Sequence, residues 1–265
     1  MRERTSVQTG IVRGMEILRL SPSRINDFLN CPQLYKYRAI DQLPEPPSLE
    51  AERGKLIHSV LEDLFELPAS ERNLQSATEI LPKSWQRALH ENQELQSLVT
   101  DEKEWLDRAQ ALLTNYFSIE KPHTFESTYR EIHLERDLTD QIYLHGYVDR
   151  IDIAPTGEVR IVDYKTGKSP KAGYEEKALF QLRVYALLYW KNHGVLPTLL
   201  QLLYLGDSQV IKSGISEIQL EATDRKLRNI GDEILSAISE EFFPPKKSKL
   251  CDWCHFKSIC PAHNR

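Results

Sequence analysis

Residues 146–168, GYVDRIDIAPTGEVRIVDYKTGK, constrain the fold more than any other stretch of the chain. Val, Ile and Tyr alternate with polar residues on either side of Pro155-Thr156-Gly157. The segment therefore reads as two short strands joined by a three-residue loop, with glycine where the turn needs φ > 0. Such a loop sets opposite one another residues whose numbers add to 312, so that Asp149 faces Asp163. Opposed Cβ atoms on antiparallel strands lie about 4.5–5.5 Å apart. Lys165, two residues past Asp163, points to the same sheet face. Like charges placed opposite each other weaken a sheet unless a cation lies between them, so the hairpin predicts a divalent metal site.

A chain of 265 residues, 40% of them hydrophobic, can bury one large core or two modest ones. It has no run of 18 apolar residues and no charged segment leading into an apolar stretch with a cleavage site, so a globular, cytoplasmic protein without membrane attachment is expected. A net charge of -5 does not advertise nucleic acid as a partner, although an acidic protein can carry a basic groove. Of the four cysteines, Cys251, Cys254 and Cys260 form C-x2-C-x5-C and Cys31 lies far upstream. Tightly spaced cysteines without a secretion signal point to metal rather than disulfides. The trio also lies among Lys, Asp and His rather than in the apolar run of core thiols. Four thiolates suit zinc or an iron-sulfur cluster, and spacing alone does not choose between them.

Residues 1–17 carry little pattern and are expected to be loosely held. Ser21-Pro22 starts a helix that Pro32 interrupts at Cys31 and that resumes over 34–38, and the proline-rich stretch 41–50 is a connector. A second helix spans 52–67 with Leu56, Ile57, Val60, Leu61, Leu64 and Phe65 inward and His58 off that stripe. Residues 70–120 read as helices, with Trp85, Leu89, Trp105, Leu112, Leu113, Tyr116 and Phe117 as core and the charged residues as a solvated face without chemistry. A strand over 125–134 precedes the first hairpin arm, 141–153. Lys165-Thr-Gly-Lys-Ser169 mimics the end of a P-loop, but Val162 stands where that loop needs glycine. Lys165, Lys168 and Lys171 remain as a basic loop suited to phosphate or to solvent. A helix over 174–192 sets Gln181 and Tyr185 on one face, a hairpin follows at 199–213 around Gly206-Asp207-Ser208, and a last helix spans 221–240. Strand, strand, strand, helix, strand, strand predicts an α/β fold, a mixed sheet flanked by helices.

His58, Asp149, Asp163-Tyr164-Lys165 and Gln181-x3-Tyr185, in that order, resemble the PD-(D/E)XK nuclease superfamily, in its RecB-type branch. The cysteines sharpen the likeness. A lone Cys-Pro upstream and C-x2-C-x5-C at the C-terminal end are similar to the iron-sulfur staple of AddB-type nuclease domains and of CRISPR adaptation nucleases. The resemblance spans residues 21–261. It implies a restriction-endonuclease-like domain over 18–265, with a helical insertion at about 68–120 and a cluster tail at 243–261 that joins the termini. It also implies Mg²⁺ or Mn²⁺ on Asp149, Asp163, the Tyr164 carbonyl and His58, and a histidine ligand favours manganese. Lys165 would orient the attacking water and stabilise the phosphate, with Gln181 and Tyr185 positioning the lysine or the phosphodiester. Cys31, Cys251, Cys254 and Cys260 would hold a structural [4Fe-4S] cluster, with zinc as the runner-up. By analogy with a disulfide closing ~100 residues, the cluster would contribute about 5 kcal/mol. The expected activity is a metal-dependent deoxyribonuclease, an exonuclease on single strands or DNA ends in repair or recombination. With no P-loop in the chain, unwinding would fall to a partner helicase. A CRISPR adaptation nuclease and a non-catalytic iron-sulfur subunit of a helicase-nuclease complex are the alternatives.

Overall fold

Capping and breaking residues set most of the element boundaries in the computed structural model, which describes residues 11–12 and 15–263. Strands β1 (Ile11–Val12) and β2 (Met15–Glu16) pair antiparallel and lead to β3 (Leu18–Leu20). Helix α1 (Pro22–Asn30) follows the Ser21 cap, and a single turn, α2 (Pro32–Tyr35), runs into a π-helical turn at Lys36–Ile40. Four helices come next: α3 (Leu49–Glu66), α4 (Leu74–Glu91), α5 (Glu94–Leu98) and α6 (Glu102–Ile119). Then come β4 (Tyr129–Asp137), β5 (Ile142–Ile153), β6 (Val159–Lys165), α7 (Glu175–His193), β7 (Leu199–Tyr204), β8 (Gln209–Ser213) and α8 (Glu217–Ser239). The hydrogen-bonding order is β3-β5-β6-β7-β8, with β4 also on β5. β3–β5 and β6–β7 are parallel whereas β5–β6 and β7–β8 are antiparallel, so the sheet is mixed as expected. No described helix is long and apolar enough to cross a membrane.

Several boundaries move. The Ser48 hydroxyl accepts from Ala51 N–H, so α3 starts three residues before Glu52. The strand expected from Phe125 begins instead at Tyr129, because Pro122–Thr124 form a 3₁₀ turn and the Phe125 carbonyl is taken by Arg72 Nη1 at 2.8 Å. Of the N-terminal stretch expected to be loose, residues 1–10, 13 and 14 lie outside the described residues.

Contacts divide the chain into two compact units. The first comprises residues 1–46, 134–146 and 218–265. Here β3 pairs with the start of β5, Leu18 to Ile142 and Leu20 to Leu144. Helix α8 buries Leu220, Leu227, Ile230 and Ile234, and Gly231 lets it approach so closely that a Cβ there would sit 2.4 Å from Ile142 Cδ1. Tyr35 stacks on Phe243 at 6.5 Å, and Tyr37 lies 5.0 Å from Phe256 and donates to the Ile259 carbonyl at 3.1 Å. Aromatic contacts and a few hydrogen bonds, among them Lys246 Nζ to the Leu29 carbonyl at 3.2 Å, therefore tie the N-terminal helices to the C-terminal tail.

The second unit comprises residues 47–133 and 147–217. All six apolar residues assigned to the inner face of α3 are buried, among Trp85, Trp105, Leu113, Tyr116, Val162 and Tyr164. The β5–β6 hairpin turns through Pro155–Gly157, with Gly157 at φ 96°. Its pairs run from Ile153–Val159 to Arg150–Val162, every one adding to the expected 312. On the far side of β6 the loop after Lys165 is clasped by Asp207, which accepts from Ser169 N and Oγ at 3.0 and 2.7 Å. Gly206 passes that loop at a distance no side chain could share, since a Cβ would lie 2.6 Å from the Gly167 carbonyl.

Candidate active site

The paired ladder of the hairpin ends at Arg150–Val162, one step short of the two aspartates. There Asp149 Oδ2 turns to accept the Tyr164 N–H at 2.7 Å. The other Asp149 oxygen lies 3.5 Å from His58 Nδ1, and His58 Nε2 lies 3.1 Å from the Tyr164 carbonyl. One residue of α3, one of β5 and the backbone of β6 thus converge at the point where the strands part.

A third carboxylate joins them. Glu131 Oε1 is 3.7 Å from His58 Nδ1, and ligand atoms of His58, Glu131 and Asp149 all lie within 4.8 Å of one another. Glu131 was not among the residues singled out from the sequence, and its placement has a specific cause. At the turn end of β4–β5, Leu138 N bonds Ile142 O, numbers that add to 280, whereas beyond the open end Thr128 N bonds Ile151 O, which add to 279. β4 therefore carries one extra residue between those points, and Glu131 there has φ 44°. A left-handed conformation costs a residue with a Cβ roughly 1–2 kcal/mol, and the bulge spends it aiming a carboxylate. An acidic residue inside the strand was the sequence signal; the bulge that aims it was not readable.

Asp163 and Lys165 form the other half of the site. Lys165 Nζ lies 2.6 Å from Asp163 Oδ2, and both side chains are bound by Gln181, which accepts from Lys165 Nζ at 3.0 Å and donates to Asp163 Oδ1 at 3.0 Å. Tyr185 Oη accepts a second bond from the same amide at 2.8 Å. The i, i+4 pair on α7 is thus a bracket for the aspartate and lysine. Asp163 is 1% exposed, and the Lys165 ammonium holds its Oδ2 as a close ion pair without a well-aligned hydrogen bond. Burial first, and Asp149 second, push the Asp163 carboxyl up to about 6. Burial works against the charge on His58, yet Asp149 and Glu131 outweigh it and hold the imidazolium to about 11. Two carboxylates beside one imidazole, with Asp163 near enough to feel the Asp149 charge, are donors of the kind a divalent cation takes.

Beneath the site lies a charge network of which the sequence reading placed Glu120 on a solvated helix face and gave the other members no role. Arg150, fully buried, makes a two-pronged bond to Glu120 at 2.8 and 2.8 Å and donates to Tyr164 Oη at 2.6 Å. Asp152 accepts from Arg150 Nε at 3.2 Å and from Arg160 Nε at 2.8 Å. The charges balance two against two, and Phe65 and Phe125 lie against the Arg150 guanidinium at 4.8 and 4.9 Å. Tyr164 is the link: its phenol is fixed in this network while its N–H and carbonyl face Asp149 and His58.

In the other unit, Cys31, Cys251, Cys254 and Cys260 are free and half-buried, and all four line one pocket. Cys31 Sγ accepts from Lys246 N at 3.3 Å and Cys251 Sγ from Ser248 N at 3.4 Å. Burial raises the Cys254 thiol, helped by Cys251, Cys260 and Cys31. Among the described residues no three of these sulfurs lie within 4.8 Å of one another.

A family model for the PD-(D/E)XK nuclease superfamily matches residues 19–261. The chain belongs to that superfamily. Membership gives it the chemistry of a hydrolytic nuclease, a class that uses divalent metals, and its mixed sheet flanked by helices fits the restriction-endonuclease-like fold. Gene 69 protein of Mycobacterium phage D29 is 24% identical over 263 residues, covering 88% of this chain and 93% of the relative. A crystal structure of a candidate exonuclease from Eubacterium rectale superposes with a TM-score of 0.58 at 14% identity, covering 93% of this chain and 88% of the other, a likeness of fold.

Proposed function

We propose that this PD-(D/E)XK protein is a divalent-metal-dependent deoxyribonuclease of the RecB-type branch, an exonuclease acting on single strands or DNA ends in repair or recombination. The observations that carry the reading are the cluster of His58, Glu131 and Asp149 ligand atoms and, one step past the last hairpin pair, the Asp163–Lys165 pair. His58, Glu131, Asp149 and Asp163, with the Tyr164 carbonyl nearby, would hold Mg²⁺ or Mn²⁺. The ion would polarise a phosphoryl oxygen and lower the pKa of bound water. Lys165, kept charged by Asp163, presents an ammonium to the attacking water or to the charge that develops on the phosphate. Gln181 and Tyr185 keep that ammonium and the aspartate in mutual register. With no P-loop in the chain, a helicase partner would supply unwinding, and a cytoplasmic location goes with this role.

The test is end-labelled single- and double-stranded DNA incubated with Mn²⁺, Mg²⁺ or chelator, beside the Lys165→Ala variant. Shortening of the label is expected with either metal and with Mn²⁺ above Mg²⁺; chelator and the variant should each lower the rate by at least about a thousandfold. A parent that binds DNA and cuts none would instead favour a non-catalytic subunit. A parent that shortens DNA still leaves a CRISPR adaptation role open, which genomic neighbours would decide.

We further propose that the four cysteines hold a [4Fe-4S] cluster. Tetrahedral zinc, with Zn–S near ~2.3 Å, would set its sulfurs about 3.8 Å apart, closer than any trio here. A cubane binds one thiolate at each iron and takes a wider spread, and backbone N–H bonds to cluster sulfurs are of the kind two of these cysteines already accept. Anaerobically purified protein should be brown, with about four irons per chain. Zinc without iron in a colourless preparation would sink this assignment.

A further inference from the structure

We propose that His133 and Tyr147 form a platform on which an unpaired nucleobase stacks beside the metal site. The inference rests on the nuclease reading and deepens it by naming what the substrate must present. The two rings, one from β4 and one from β5, stack with centroids 4.6 Å apart and planes 29° from parallel. His133 is exposed and Tyr147 is 54% exposed, a high value for a large aromatic side chain on a strand. Their numbers add to 280, the register of the turn end of β4–β5, so the rings form a directly opposed pair on the turn side of the Glu131 bulge.

Position gives this pair its meaning. Tyr147 precedes Asp149 by two residues and His133 follows Glu131 by two, so each ring is the next side chain on its own strand from a carboxylate of the site, roughly 6.5–7 Å along. A strand whose phosphate lies at the carboxylates must lay a neighbouring base near these rings. Stacking on an aromatic face needs no base-specific hydrogen bonds, so the platform would accept any base, but only one whose face is not already covered by a duplex neighbour. The pair therefore selects unpaired strands rather than a sequence.

The bland alternative is a cross-strand pair that merely steadies the sheet. Three measurements separate the two: steady-state cleavage of a single-stranded oligonucleotide, anisotropy of the same labelled oligonucleotide in chelator, and thermal melting. Tyr147→Ala should raise KM and weaken single-strand binding by about tenfold, whereas Tyr147→Phe keeps the ring and the affinity. An abasic nucleotide walked along the oligonucleotide should weaken parental binding at one position and leave Tyr147→Ala indifferent there. Parental KM and affinity in Tyr147→Ala, with only its melting temperature lowered, overturn the platform while the nuclease reading stands. If the parent cuts no DNA with either metal, the nuclease reading fails by itself, and the abasic series in chelator still decides the stacking.

Discussion

Asp163→Asn should make the metal-free protein more stable at pH 7 while abolishing cleavage. The carboxyl ordinarily loses its proton near 3.8, but in the folded protein burial and Asp149 delay this to about 6. Between those values the folded state binds more protons than the unfolded one, so stability falls as pH rises through that window and stays lowered above it. Two pKa units at ~1.4 kcal/mol each put the cost on the order of 3 kcal/mol. Asparagine never ionises, keeps a bond to Gln181 and escapes the cost. Melting in chelator should show the variant several degrees above the parent at pH 7 and the gap closing toward pH 4. Mn²⁺ should reverse the order by stabilising the parent, through mass action on a site the variant lacks. A variant that melts below the parent at pH 7 in chelator would show that Asp163 is not strained by its surroundings.

The second large effect lies beneath the site. Arg150→Met leaves Glu120 buried without its two-pronged partner, a loss of about 3–5 kcal/mol in comparable pairs. Burial pushes the Glu120 carboxyl upward and Arg150 is the main reason that it nonetheless sits below the usual range. Without the arginine, Glu120 ionises only at higher pH, so the variant should be weakest at neutral pH and recover part of the difference in acid. Adding Glu120→Gln should restore most of the stability, because a neutral amide has no buried charge to compensate. Urea unfolding of the two single variants and the double variant reads this out. Strictly additive losses would mean that the pair acts as two independent groups.

The hairpin was legible in advance because a three-residue loop with glycine fixes parity, and parity alone carries the register through Arg150–Val162 to the edge of the aspartates. Gln181 and Tyr185 were legible as neighbours from helical spacing, though not as the bracket around both Lys165 and Asp163. Glu131 was not, because its role depends on one surplus residue in β4, which shifts faces without leaving a compositional mark. Arg150 and Glu120 escaped for a different reason. They are thirty residues apart in the sequence, and a charged residue at the end of an amphipathic helix reads as solvated unless its partner is known.

The double attachment of Tyr164 also bears on how the protein is made. Arg150 holds its phenol while its backbone faces Asp149 and His58, and β6 itself is lined up by β7, which emerges later from the ribosome. Lys165 and Asp163 likewise wait for Gln181 on α7. A nascent or truncated chain ending before residue 199 therefore carries the acidic side chains without their native arrangement. In this member of a nuclease superfamily the core must close before the arranged site exists.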